Sequence, residues 1–435
     1  MAEYASYALV LFALGAYVVL DGYDLGIGIL GLFDRDDRRR KEYTELVATA
    51  WDANESWIIL AAVTLWAALP GVYATVLPGL YLPLIVMLLG FVLRGLGLEL
   101  QSAAPDQRRG WGRLFGLSSL VVTVCQGLVV GTVLTGLPQH HGVYDGGALR
   151  WLNPYSVLCA LGLTALYLLA GAAWLHAKTE GAVRRRAARL GRPLLAATVA
   201  AALVLGFGLK VADPQRFHFE QPLRAALFGL AVASAAGCGA VAWYGFGRAP
   251  DARPFIAVLG AQVAGLLALV AATAPVVVPP ALTVHDAASP TGSQVFLLIG
   301  VGGCMPVVLA YNIYAWWVFR GKYRAPSPAA LALPDEPRRA PETASATRRK
   351  APRTEAPSTD GAPEGILRTV ARRGGFTVLG VGTAAVAQDV FGGKGEWIAP
   401  VALVLFGLVS LTAWLVGDRR ASAAGEFDLD PAVRR

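Results

Sequence analysis

Residues 76–100 read VLPGLYLPLIVMLLGFVLRGLGLEL, with Arg94 and Glu99 the only charges in the run. Coiled as an α-helix at 1.5 Å per residue, the stretch is roughly 38 Å long, enough to cross a hydrocarbon core of roughly 30 Å. Similar runs recur through the 435 residues, which are 55% hydrophobic and only 16% charged. Mean hydropathy is +0.51. Soluble domains carry about 25% charged residues. The composition excludes a soluble globular enzyme and a disordered protein. It also argues against a β-barrel, whose strands are about 10 residues of alternating pattern. The expected class is an all-α polytopic membrane protein in a lipid bilayer.

Working outward from 76–100, nine core spans are expected, at roughly 5–32, 47–69, 76–100, 113–136, 154–176, 193–210, 222–246, 254–278 and 295–319. Arginines and lysines alternate between the loops. The first loop holds Arg35, Arg38, Arg39, Arg40 and Lys41, and the second, 70–75, holds none. The third holds Arg108, Arg109 and Arg113, and the fifth holds Lys178, Arg184, Arg185, Arg186, Arg189 and Arg192. The eighth, 279–294, again holds none. Basic loops face the cytoplasm, so the N-terminus is expected outside and the C-terminus inside. The net charge of +8 is read as this loop bias, not as a nucleic-acid surface. The N-terminus MAEYASYALV lacks a basic leader and reads as the start of a retained first span. Cys125, Cys159, Cys238 and Cys304 all fall in apolar runs without CxxC pairing, so they read as small buried hydrophobes. Residues 324–373 contain eight prolines among Ala, Thr, Glu and Arg. That segment cannot bury an apolar face and reads as a disordered cytoplasmic linker. Residues 374–420 read as a transmembrane helical hairpin, with 421–435 a cytoplasmic tail.

An ionisable residue inside a span is costly, so each is a candidate site. The first three spans hold them: Asp21 and Asp24 in LDGYDLGIGIL, Asp52 and Glu55 in WDANESW, Arg94 and Glu99 in FVLRGLGLEL. From the expected span ends, Asp24, Asp52 and Arg94 lie at a common level, roughly 8–9 Å from the cytoplasmic face. Asp21 lies one turn deeper on the same face as Asp24, and Asp52 shares a face with Glu55. Three readings fit. The acids form a proton relay with Arg94 as compensating charge. Or Arg94 pairs statically with Asp52 or Asp24. Or some of the groups snorkel to the interface. Gly22, Gly26 and Gly28 permit close helix approach.

Histidine bears on cofactors. His140, His141, His218 and His285 fall in or near outer loops, and His176 lies at the inner end of the fifth span. No facing pair of axial ligands emerges, and Met1, Met87 and Met305 offer no convincing substitute. The chain is expected to ligate no haem and no metal. Walker and HExxH motifs are also missing.

The element WDANESW, with Trp51, Asn54 and Trp57 around its two acids, decides a family resemblance. With DGYDLGIGIL upstream, FVLRGLGLELQ downstream, then LNPYSVL (152–158), GAAWLHAKTEG (171–181), LTVHDAASPTGSQ (282–294) and AYNIYAWWVFRGKY (310–323), residues 5–323 resemble subunit II of the cytochrome bd quinol oxidases. Ala53, Ser56, Leu93 and Gln101 depart from common family residues without removing an acid or Arg94. The resemblance implies two four-helix bundles plus a peripheral helix, and a domain spanning 1–323. It implies a heterodimer with subunit I, which carries the b haems, the haem d and the quinol site. It implies a bacterial plasma-membrane complex that oxidises quinol and reduces oxygen to water. It assigns Asp52 and Arg94 to cytoplasmic proton entry, with Asp21 and Asp24 supporting and Glu55 and Glu99 at matching acidic positions. A structural quinone has been seen in this subunit in some members, and no motif here places one. The extension 324–435 could contact subunit I or do the work of a small single-span accessory subunit. The competing reading is a proton- or ion-coupled secondary transporter, in which the same acids bind the coupling ion. On the resemblance, Asp52→Asn and Arg94→Leu are expected to leave assembly intact and slow turnover.

Overall fold

The computed structural model describes residues 2–103, 108–140, 143–212, 221–248, 252–280 and 282–318. The linker, terminal hairpin and tail expected in 324–435 lie outside the described residues. The helices run α1 (Ala2–Leu32), α2 (Asp37–Val47), α3 (Trp51–Ala68), α4 (Pro70–Ala103), α5 (Arg108–Thr135), α6 (Pro154–Lys178), α7 (Gly181–Ala212), α8 (Pro222–Gly245), α9 (Arg253–Thr273), α10 (Val284–Ala287) and α11 (Thr291–Val318). Two short antiparallel hairpins lie in loops between helices: β1 (Gln139–His140) with β2 (Val143–Tyr144), and β3 (Val276–Val278) with β4 (Leu282–Thr283).

Eight of these helices are long and apolar enough to cross a membrane. The expected second span corresponds to α3, which is not among the eight. It has only 18 residues and spends Asp52, Asn54 and Glu55 in its first turns. Of the residues expected to start that span, Val47 ends a separate polar helix, α2, and 48–50 form a turn. The first turn of α2 is capped by the Asp36 side chain, which accepts from the Arg38 amide. At the other extreme α4 is longer than expected. It continues past a kink at Leu80, between Pro78 and Pro83, and runs on to Ala103. The α6 start is set by a capping box between Asn153 and Ser156, with Pro154 in the first turn.

α1 is the central element. It packs against α3, α5, α6, α9 and α11, while α4 pairs with α5, α6 with α7, and α8 with α9. Over half of its apolar window is buried, against about a tenth for α7 and α8. Glycine makes the tightest crossing possible. A Cβ on Gly26 would overlap the Tyr167 carbonyl, and one on Gly171 would press on the Gly26 backbone. Gly22 makes room for the Tyr167 ring, and Gly28 for Ser119. Gly22, Gly26 and Gly28 all sit at close contacts with neighbouring helices.

The end of the bundle where α1 and α6 finish and α7 starts is rich in arginine. There Asp34 ties three helices together. Its carboxylate accepts from Arg39 (2.8 and 2.6 Å), Tyr43 (2.9 Å) and the Asp36 amide (3.0 Å), and Arg186 of α7 lies 3.4 Å away. Burial alone would raise its pKa; the hydrogen bonds from Arg39, Asp36 and Tyr43, with the Arg186 charge, outweigh that and hold it down to about 2. Cys125 and Cys159 are buried as small hydrophobes, whereas Cys304 is exposed on α11.

Candidate functional site

The ionisable residues of the first three long helices converge around one buried arginine. Arg94, on α4, has no solvent exposure. Its two terminal nitrogens donate to both oxygens of Asp21, at 2.9 and 2.5 Å, a bidentate pair with an equally buried partner. The first of those nitrogens also donates to Glu55, at 3.2 Å. The Glu55 side chain keeps 18% exposure, so it stands between the buried pair and the outside. Asp52, one turn earlier on α3, is exposed. Glu99 is exposed on α4.

Static pairing of Arg94 with Asp52 or Asp24 is thus corrected: the partners are Asp21 and Glu55. The common level expected for Asp24, Asp52 and Arg94 is corrected with it. Both errors come from helix ends. α4 ends at Ala103, nine residues beyond Arg94, which puts the guanidinium roughly 14 Å from that end. α3 begins only at Trp51, which leaves Asp52 in an exposed first turn. Arg94 therefore sits level with Asp21, and Asp52 sits nearer the surface.

Asp24 forms a second buried node. It accepts from the Asn54 amide at 2.7 Å, and the same amide nitrogen reaches the Tyr23 hydroxyl at 2.9 Å. Asn54 is therefore more than a motif residue: it is the hydrogen-bond partner of a buried acid. The flanking tryptophans pack around the cluster. The Trp51 ring lies where a Cβ on Gly95 would meet it, and Trp57 meets Phe12 edge-on at 5.7 Å. Asp24 Oδ1, Arg94 Nε and Trp57 Nε1 are buried without a protein hydrogen-bond partner among the described residues. Buried polar atoms of this kind are usually completed by ordered water.

The network also extends where sequence reading did not follow it. The Tyr17 hydroxyl, one helical turn before Asp21, accepts from the Gln126 amide of α5. The Tyr167 hydroxyl of α6 donates to the Gln126 carbonyl oxygen at 3.0 Å. Two signals were available. Tyr17 precedes Asp21 by four residues, hence shares its helix face, and Gln126 is the lone amide in the apolar run VVTVCQGLVV.

No cluster of His, Cys, Asp and Glu among the described residues has the arrangement to hold a metal ion. His176 packs edge-on to Phe246 at the arginine-rich end. His285 contacts Glu3 (3.1 Å) at the opposite end, beside the α1 N-terminus. These two histidines cannot face each other across a haem, so the side chains described here do not fit bis-histidine haem ligation.

The family model described as "Cytochrome bd terminal oxidase subunit II" matches residues 2–319. The chain belongs to this family. It is 31% identical over 180 residues to the cytochrome bd-I ubiquinol oxidase subunit 2 of Escherichia coli, covering 39% of this chain and 47% of that one. To the cytochrome bd ubiquinol oxidase subunit 2 of Bacillus subtilis it is 26% identical over 196 residues, covering 43% and 56%. The aligned chain thus spans about half the length of these curated relatives. The solved bd oxidase of Geobacillus thermodenitrificans shares the fold, with TM-score 0.62 at 16% identity, over 74% of this chain and 99% of the matched one.

Proposed function

We propose that this chain is the subunit of a bd-type quinol:oxygen oxidoreductase that binds no haem itself and helps bring protons to a haem-bearing partner subunit I. The haems of that partner supply the oxygen chemistry, and none of its steps passes through residues of this chain. The arginine-rich end is the cytoplasmic one in this reading, by the positive-inside rule.

The observation that carries the proton role is the graded series of carboxyls from surface to interior. Asp52 is exposed, Glu55 is part-buried, and Asp21 is buried on Arg94. Three carboxyls, Asp21, Asp24 and Glu55, surround one guanidinium, so the cluster can take up protons as well as balance charge. Glu55 touches Arg94 and is reached from the side where Asp52 lies, which makes it the group that passes a proton inward. Arg94 holds Asp21 in a fixed orientation, and Asn54 does the same for Asp24. Glu99 lies outside this series and is given no role in it.

The earlier expectation for Arg94→Leu does not survive this geometry. Removing a fully buried guanidinium leaves Asp21 without its partner, which destabilises the fold itself. Glu55→Gln is the cleaner test, because the residue is part-exposed and its amide can still accept from Arg94. The tagged chain is first purified from native membranes, and the product's reduced-minus-oxidised visible spectrum is recorded. A haem spectrum with a second membrane subunit supports the oxidase assignment; a colourless single chain refutes it. In the haem-bearing complex, Glu55→Gln is expected to slow oxygen consumption roughly a hundredfold or more at unchanged haem content, the range typical of proton-transfer groups. An unchanged rate refutes the proton role and leaves the cluster as a structural ion pair.

A further inference from the structure

α7 opens with Arg184, Arg185, Arg186, Arg189 and Arg192. Two of the five reach loops at this end. Arg186 reaches Asp34 and the Phe33 carbonyl, and Arg184 donates to the Arg248 carbonyl at 3.1 Å. The other three recur at i, i+4 and i+7, so they form one stripe on the helix. All three are exposed. Among the described residues none of them has a carboxylate within ion-pair distance. Arg39, Arg40 and Arg109 at the same end are different, because each meets Asp34, Asp36 or Asp37. The positive-inside bias accounts for arginine at this end. It does not account for a stripe left without counter-charge beside loops that supply their own.

The stripe does not stop at the arginines. Continued by the same helical spacing, it passes through Val199, Leu203 and Phe207, which are 49, 68 and 73% exposed. From Arg192 to Phe207 the helix rises roughly 22 Å, about the thickness of one leaflet with its headgroup region. At the junction of basic and apolar parts, Arg192 donates to the Trp243 carbonyl at 3.1 Å and lies 5.5 Å over the Trp243 ring. Trp243 and Tyr244 are themselves exposed at the end of α8, where amphipathic rings mark headgroup level.

We propose that this edge of α7 and α8 binds an anionic phospholipid, its phosphate on Arg185, Arg189 and Arg192 and an acyl chain along Val199, Leu203 and Phe207. A free phosphate would use only the arginines. The continuous apolar track favours the lipid, and basic sites between membrane helices are suited to such headgroups.

The test uses the full chain in its native complex, delipidated in mild detergent. Labelled phosphatidylglycerol or phosphatidylcholine is added, and retained lipid is quantified. Preferential retention of phosphatidylglycerol is expected, undiminished by tens of millimolar inorganic phosphate. Arg185→Gln with Arg189→Gln should weaken it roughly 25-fold, at about fivefold per arginine. Arg35→Gln with Arg38→Gln, at the same end but off the stripe, should leave it unchanged. Displacement by phosphate would turn the site into a free-anion site and overturn the proposal. So would equal losses in both variants, which would mean a diffuse basic surface. If the Arg185/Arg189 variant does not assemble, the wild-type comparison still decides: equal retention of the two lipids refutes the proposal.

Discussion

The Arg94–Asp21 pair offers the sharpest perturbation. Both side chains are fully buried and joined by two hydrogen bonds, 2.9 and 2.5 Å long. Arg94→Gln removes the only cation touching Asp21 among the described residues. Breaking one side of a buried pair typically costs about 3–5 kcal/mol, because an uncompensated charge is left behind. Asp21→Asn should cost a similar amount for the same reason, since it strands the guanidinium, which keeps only part-exposed Glu55. The double variant Asp21→Asn/Arg94→Gln removes both charges and leaves two amides able to bond each other. It should recover more than half of the summed loss, the coupling expected of residues in one network. At about 2 °C per kcal/mol for a large domain, each single variant lowers the melting temperature by roughly 6–10 °C. Thermal unfolding of the purified complex, followed by size exclusion of the surviving fraction, reads this directly. The reasoning fails if the double variant loses the sum of the two singles, because Arg94 would then be held by packing and not by Asp21.

Three further outcomes follow from the geometry. Asn54→Leu strips Asp24 of the amide that donates to it and should destabilise by about 1–3 kcal/mol, whereas Ser56→Ala, on the exposed side of the same turn, should change the melting temperature within error. Gly26→Ala drives a methyl into the Tyr167 carbonyl and should abolish accumulation of the complex in membranes; Gly31→Ala, whose added methyl meets its nearest neighbour at 3.9 Å, should accumulate normally. Asp34 is held at about 2, below its unfolded value of about 3.9, so its contribution is full above pH 4 and is lost as the pH falls toward 2. Hydrogen exchange in α2 should accelerate across that window, and Asp34→Asn should make the exchange fast at pH 5 and remove the acid step.

What could be read from sequence divides along a physical line. The helical membrane class and the placing of acids depend on runs of composition, and these are visible at a glance. Asp21, Asp24, Glu55 and Arg94 stood out because charge is rare in apolar runs, and the structure brings all four together around Arg94 and Asn54. The partners of each were not legible, because they depend on where helices end. A three-residue extension of α4 and a late start of α3 moved Arg94 inward and Asp52 outward. Pro105, two residues beyond Ala103, was a signal for the α4 end, whereas Ala50 before α3 supplies no side-chain cap. Tyr17, Gln126 and Tyr167 were missed for another reason. Tyrosine and glutamine in an apolar run carry no charge to flag them, and only the crossing of α1, α5 and α6 shows that they meet.

A buried ion pair is weak evidence for stability, since well-packed hydrophobic residues often do as well or better. The cluster around Arg94 is therefore more informative for what exceeds neutrality than for the pair itself. Asp21 alone satisfies both terminal nitrogens of the guanidinium. Glu55 adds a second carboxyl to one of them, and Asp24 adds a third acid that touches neither but is held by Asn54. A purely structural arrangement would gain from losing both, because each is an acid that must be kept at membrane depth. Their placement is also directional: exposed Asp52 and part-exposed Glu55 lead to one side of Arg94, while Tyr17, Gln126 and Tyr167 continue from Asp21 on the other. Excess carboxyls in series, joined to a chain of hydroxyl and amide groups, are what proton movement requires and what charge balance alone does not.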